Sequence, residues 1–221
     1  MALTTLMAGS GAGRSEEKKP SPCTEDAMIV FDASGSMSGN QRLGIPNSQA
    51  RIDEVRAALA QVLPSVTKFR RVGPGPYNQR IVKVEFAPTP DADQAIMSTV
   101  NALVPAGKTP LTSTVEQAAQ VLDFKKKPGV IMVVTDSQET CGRSPCVLAR
   151  QLQMTPQQLT VHVIGFRYDS FSWTGEGSVM DLMCLADESH GLYIITNSEE
   201  ELVQAVDCPM ISQAAPTSLT K

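Results

Sequence analysis

Little in this chain points to a nucleic acid or a membrane. Its 19 Lys and Arg are outnumbered by 23 Asp and Glu, for a formal net charge of −4. Phosphate binding needs a basic face, so the balance argues against a nucleic-acid partner. No apolar run approaches the ~18 residues that would cross a bilayer as a helix. Histidine occurs only twice and no second close cysteine pair is present, which argues against a zinc site. There is no phosphate loop of the G-x-x-x-x-G-K-[ST] type and no G-x-G-x-x-G after a strand. Neither Ser34 nor Ser36 stands in the G-x-S-x-G frame of a serine hydrolase. Met1–Ala8 is mildly apolar but short, with no positive segment before it. It reads as the remnant of a secretory signal whose true start lies upstream, or as a tail.

What remains is a chain of 221 residues with 42% apolar content, enough for one domain with a real core. Residues 1–22 end in a Gly/Ser/charge-rich flexible segment, residues 23–208 carry the domain, and 209–221 form a disordered tail. Apolar runs Met28–Phe31, Val130–Val134 and Leu159–Phe166 read as strands, and Leu192–Ile195 as a last one. Ile81–Phe86 alternates, as a half-packed edge strand does. Helical spacing covers Arg51–Val66, Asp91–Leu103, Leu111–Phe124, Pro145–Met154, Val179–Ser189 and Ser198–Val206, with Ser198 as a cap. The cationic Lys125-Lys126-Lys127 before Pro128-Gly129 is an ordinary helix stop. Alternating strands and helices predict an α/β fold: a doubly wound, mostly parallel sheet with helices on both faces and one short antiparallel edge strand.

Five cysteines are present. Cys23 and Cys208 flank the domain, and termini often lie close together, so a bridge between them is expected. Cys141 and Cys146 are near enough in sequence to close a small loop, which leaves Cys184 odd. Bridges would place the protein in an oxidising compartment; five thiols in the cytoplasm are the alternative.

Chemistry concentrates where the two most apolar strands end. Met28–Phe31 runs into Asp32, Ser34 and Ser36, and Val130–Val134 runs into Thr135-Asp136-Ser137. Ligands of open α/β sheets bind beyond the carboxyl ends of strands, and hard oxygens suit Mg²⁺ or Ca²⁺. Thr109, in the Pro105–Pro110 loop, adds a further hydroxyl.

The set Asp32-Ala33-Ser34-Gly35-Ser36, Thr109 in GKTPL and Asp136 in VVTDS resembles the von Willebrand factor type A domain and its metal-ion-dependent adhesion site. The resemblance runs from Ala27 to about Val206. The segments GKTPLTSTVEQAAQVL, VVTDSQETCGRSPCVLARQL, LTVHVIGF and LMCLADESHGLYI look similar to bacterial secreted or envelope members. It implies an ion, Mg²⁺ first and Mn²⁺ or Ca²⁺ next, held by Asp32, Ser34, Ser36, Thr109 and Asp136. It also implies a protein partner that offers an acidic side chain to that ion, and no catalysis. One departure stands out. The family has a full strand after the first helix, where Arg70–Arg80 reads RRVGPGPYNQR; with the Gly-Pro repeat there, either the strand is cut short near Val72 or neighbouring residues shift to replace it.

Two other functions compete. Some bacterial relatives act as assembly or metal-insertion factors beside an AAA-type ATPase, which would require a cytoplasmic location. A Mg²⁺-dependent phosphatase of the haloacid-dehalogenase type would need a second acid two residues after Asp32, where Ser34 stands. His162 reads as a packed strand residue and His190 as a helix-terminal one. Tyr168, Phe171 and Trp173 lie on a loop expected at the metal-bearing end, where ordinary packing and a partner-binding rim are both open.

Overall fold

Strand β1 (Ala27–Asp32) is buried along its whole length, because helices cover the sheet on both sides. In this computed structural model, residues 25–38, 50–68, 70–78, 81–82, 87–155, 158–167 and 177–207 are described. After β1 come α1 (Arg51–Val66), β2 (Val72–Asn78), β3 (Ile81–Val82), α2 (Asp93–Asn101), α3 (Leu111–Val121) and β4 (Gly129–Thr135). The order continues with α4 (Pro145–Gln153), β5 (Leu159–Phe166), α5 (Gly177–Glu188), β6 (Tyr193–Thr196) and α6 (Glu199–Val206). The sheet order is β3-β2-β1-β4-β5-β6. Neighbours from β2 to β6 run parallel and β3 is antiparallel to β2, as the strand pattern predicts.

Side-chain alternation sorts the core into two layers. Ile29, Phe31, Met132 and Val134 pack under α1, α2 and α6, against Leu59, Leu63, Ile96 and Leu202. Met28, Val30, Ile131 and Val133 pack under α3, α4 and α5, against Leu111, Val115, Leu148 and Leu182. Each such side chain contributes about 1.5–3 kcal/mol on burial. The chain leaves β1 over one face toward β2 and reaches β4 over the other. The carboxyl ends of β1 and β4 therefore meet at a topological switch point, with Phe31 opposite Val134.

The strand is not cut short at Val72. β2 runs through Gly73-Pro74-Gly75-Pro76 and pairs with β1 over six residues, Ala27↔Val72 to Asp32↔Tyr77. The reason lies in the period of the strand. The Arg71 carbonyl accepts from Ala27 N–H, whereas Val72 exchanges both its bonds with Thr89 on the other side. By alternation, Gly73 and Gly75 face β1 and Pro74 and Pro76 face away. The missing proline donors thus fall on the side that β1 does not use. Gly75 also admits close packing: a Cβ there would lie 3.3 Å from Val30 Cγ2 and 3.9 Å from Thr114 Cγ2.

Some helix ends differ from the spacing. Asp91 and Asp123 adopt left-handed φ values of 49° and 52°, so α2 starts and α3 stops inside the expected ranges. Residues 83–86 of the expected edge strand lie outside the described residues.

Cys141 and Cys146, near enough in sequence to close a small loop, are not bonded to each other. Cys146 is bonded to Cys184, with Cα atoms 5.1 Å apart, and Cys141 is a free, exposed thiol. Cys146 sits in the first turn of α4, which packs on α5, whereas Cys141 belongs to a turn in which its N–H donates to Glu139 Oε1 at 2.7 Å. Cys23, Cys208, Tyr168, Phe171 and Trp173 lie outside the described residues. His162 is packed as expected, its Nδ1 accepting from Leu192 N–H at 3.1 Å.

Candidate metal centre

Asp32 is the last residue of β1 and is fully buried. Its Oδ1 accepts from Ser34 N–H at 2.7 Å, which folds the Asp-x-Ser-x-Ser loop back over the strand end. Oδ2 accepts from the hydroxyl of Thr135, the last residue of β4, at 2.7 Å and from that of Ser137, two residues on, at 3.1 Å. Ser34 and Ser36 touch through their hydroxyls at 3.0 Å, and Ser36 Oγ donates to Asp136 Oδ1 at 2.7 Å. Thr109 Oγ1 lies 2.9 Å from Ser137 Oγ. One polar network therefore links all five residues expected from the sequence.

Backbone contacts fix the loops that carry them. Gly35 N–H donates to Gly107 O and Ala106 N–H to Ala33 O, at 3.0 and 2.9 Å. Gly107 has φ 77°, a conformation that favours glycine at this crossing. Thr109 N–H donates to Thr140 Oγ1 at 2.7 Å, and Thr140 N–H returns a bond to Thr109 O at 3.0 Å. Pro110, at the N-cap of α3, makes no side-chain cap. Glu139 substitutes for it: Oε2 accepts from Thr112 N–H at 2.7 Å.

Burial, with the charge of Asp136 next, pushes the Asp32 carboxyl up to about 6; the Ser34 N–H and the Thr135 and Ser34 hydroxyls oppose the rise. Two buried carboxylates that repel each other and lie among hydroxyls form a place that favours a cation. The donor set of two carboxylates and three hydroxyls is all hard oxygen, so these residues fit Mg²⁺. Asp136 Oδ2 is also met by Arg51 Nη1 at 2.7 Å. Sequence reasoning gave no role to Ser137, Thr135, Glu139 or Arg51. The first three stand within three residues of Asp136 in the chain, which is a usable signal. Arg51 carries no local signal, because only the fold brings α1 to the end of β4.

Comparison with known proteins now decides the family. The profile of the von Willebrand factor type A domain matches residues 27–139. The chain belongs to the von Willebrand factor type A domain family. Domains of this family commonly bind a divalent metal and mediate protein interactions. This von Willebrand A domain is 26% identical to the uncharacterised protein YwmC of Bacillus subtilis (strain 168), over 86% of the chain and 84% of that protein. Among solved structures it resembles an aerotolerance-related membrane protein of Bacteroides fragilis, at TM-score 0.61 and 18% identity, over 81% of the chain and 95% of the other. It also resembles proximal thread matrix protein 1 of the mussel byssus with a zinc-occupied MIDAS motif, at TM-score 0.58 and 19% identity. That match covers 85% of this chain and 47% of the mussel chain. The structural likenesses bear on the fold.

Proposed function

We propose that this domain binds Mg²⁺ through Asp32, Ser34, Ser36, Thr109 and Asp136 and uses the loaded site to dock an acidic side chain of a protein partner, without catalysis. The observation that carries the reading is the convergence of Asp32 and Asp136 with Ser34 and Ser36 at the β1–β4 switch point, joined by bonds of 2.7–3.0 Å. A bound ion would supply an electrophilic coordination position. Ser34, Ser36 and Thr109 would ligate through neutral hydroxyls, so little of the ion's charge would be cancelled by them. Asp32 is held by Ser34, Thr135 and Ser137 on both oxygens, which suits a carboxylate acting through water. Ser36 is exposed and gives a partner access to the site. The mussel protein's zinc-occupied site supports the assignment by likeness of fold.

The Cys146–Cys184 bridge favours a location outside the cytoplasm, in the envelope or secreted, and so disfavours the reading as an ATPase-coupled assembly factor. Chelator-sensitive capture tests docking: immobilised domain should retain its partner from an extracytoplasmic fraction with Mg²⁺, lose it with EDTA and recover it on adding Mg²⁺ back. Retention that ignores EDTA would sink the metal-bridged mode.

A further inference from the structure

Arg51 joins α1 to the polar end of β4, and Glu54, one turn further along α1, also feels its charge. Arg51 is the first residue of α1, and a positive charge there opposes the helix dipole. Its Nη1 reaches across to Asp136 Oδ2 at 2.7 Å; the Asp136 side chain is 0% exposed and that of Arg51 24%. The other oxygen, Oδ1, takes the Ser36 hydroxyl at 2.7 Å. Both Asp136 oxygens are thus committed, one to a site hydroxyl and one to a guanidinium. A divalent ion on Oδ2 shares that oxygen with Arg51 or displaces it, and an ion on Oδ1 lies beside it. In either position the two cations repel each other across a part-buried site, where water screens them incompletely.

We propose that Arg51 is the internal counter-charge of this site, which weakens divalent-ion binding and gives the loaded site the surplus positive charge that selects a carboxylate. The inference rests on the metal-binding reading above. Its charge logic is simple. Asp32 and Asp136 with Arg51 leave one net negative charge; a doubly charged ion turns that into one net positive charge, which a single carboxylate neutralises. Without Arg51 the loaded site would be one charge less positive, and an acidic partner would bind it more weakly. Removing Arg51 therefore has opposite effects on the two ligands. A merely structural role would weaken both together.

The test uses the full chain, with Mn²⁺ read by electron paramagnetic resonance of the free ion and acetate as the carboxylate probe, read by water-proton relaxation of bound Mn²⁺. Arg51→Gln should bind Mn²⁺ about tenfold more tightly than wild type, and its loaded form should bind acetate about tenfold more weakly. Arg51→Lys, which keeps the charge, should stay close to wild type in both. Arg51→Met, which keeps the aliphatic stem, repeats the neutral test should Arg51→Gln fold poorly. Mn²⁺ affinity unchanged or reduced in the neutral variants, with wild type binding and Asp32→Ala not, overturns the inference and leaves the metal site standing. Mn²⁺ bound by neither wild type nor the neutral variants overturns both.

Discussion

Truncating Glu139 to alanine tests how the second loop of the site is held. Its carboxylate accepts two N–H groups at 2.7 Å, one from Thr112 in the first turn of α3 and one from Cys141. Pro110 offers α3 no side-chain cap, and Thr112 is 1% exposed, so water cannot replace the lost bond there. Loss of an N-cap costs about 1 kcal/mol, with a range of roughly 0.5–2. The second charge-assisted bond adds about another 1 kcal/mol, discounted because Cys141 is exposed. Glu139→Ala should therefore lower unfolding stability by about 2 kcal/mol in urea titration. For a chain of this size that is a fall in Tm of about 4–8 °C. Glu139→Gln, which keeps an acceptor oxygen without the charge, should recover about half. Because α3 begins two residues after Thr109, Glu139→Ala should also weaken Mg²⁺ binding several-fold, about 1 kcal/mol. A change under about 0.5 kcal/mol in stability would refute the cap, since surface substitutions alone give that much.

Three further outcomes follow from other parts of the fold. A Cβ at Gly191 would collide with the Val161 carbonyl oxygen, so Gly191→Ala should cost about 2–3 kcal/mol by chemical denaturation, whereas a cost near zero would refute the close approach. The Cys146–Cys184 bridge closes 38 residues, so Cys146→Ser with Cys184→Ser should lose about 2–4 kcal/mol, and alkylation of the native protein should label Cys141 and neither partner of the bridge. Burial, with the charge of Arg70 next, pushes His162 down to about 4. The unfolded chain takes up that proton near 6.5 while the folded one resists it, so this contribution is complete above 6.5 and is lost as pH falls from 6.5 toward 4. It amounts to about 3 kcal/mol, and a His162→Gln protein should show that much less loss over the same window.

The legible parts of the sequence were those where local chemistry and tertiary role agree. β1 and β4 announce themselves because strands buried on both faces need continuous apolar runs, and each ends in an acid at the switch point. α1 matches its spacing from Arg51 to Val66 because its apolar stripe faces one core layer. The five candidate residues were legible as polar groups in the loops beyond β1 and β4 and before α3, and one polar network joins them. β2 was hidden because Gly and Pro report local turn preference, while its survival depends on which side of the strand lacks a partner. The Cys146–Cys184 bridge was hidden because it depends on α4 packing on α5, far apart in sequence. Arg51 and Glu139 look like ordinary surface charges until the fold supplies Asp136 and Thr112.

On the reading proposed above, Asp32 and its neighbours hold a divalent ion in the native state. Thermal unfolding with and without saturating Mg²⁺, in wild type and in Asp32→Ala, tests it most directly. A ligand at a hundredfold excess over its Kd stabilises by about 2.7 kcal/mol, so wild type should rise in Tm by roughly 5–10 °C. Asp32→Ala should not move. An equal shift in both proteins, or no shift in wild type, would contradict the metal site.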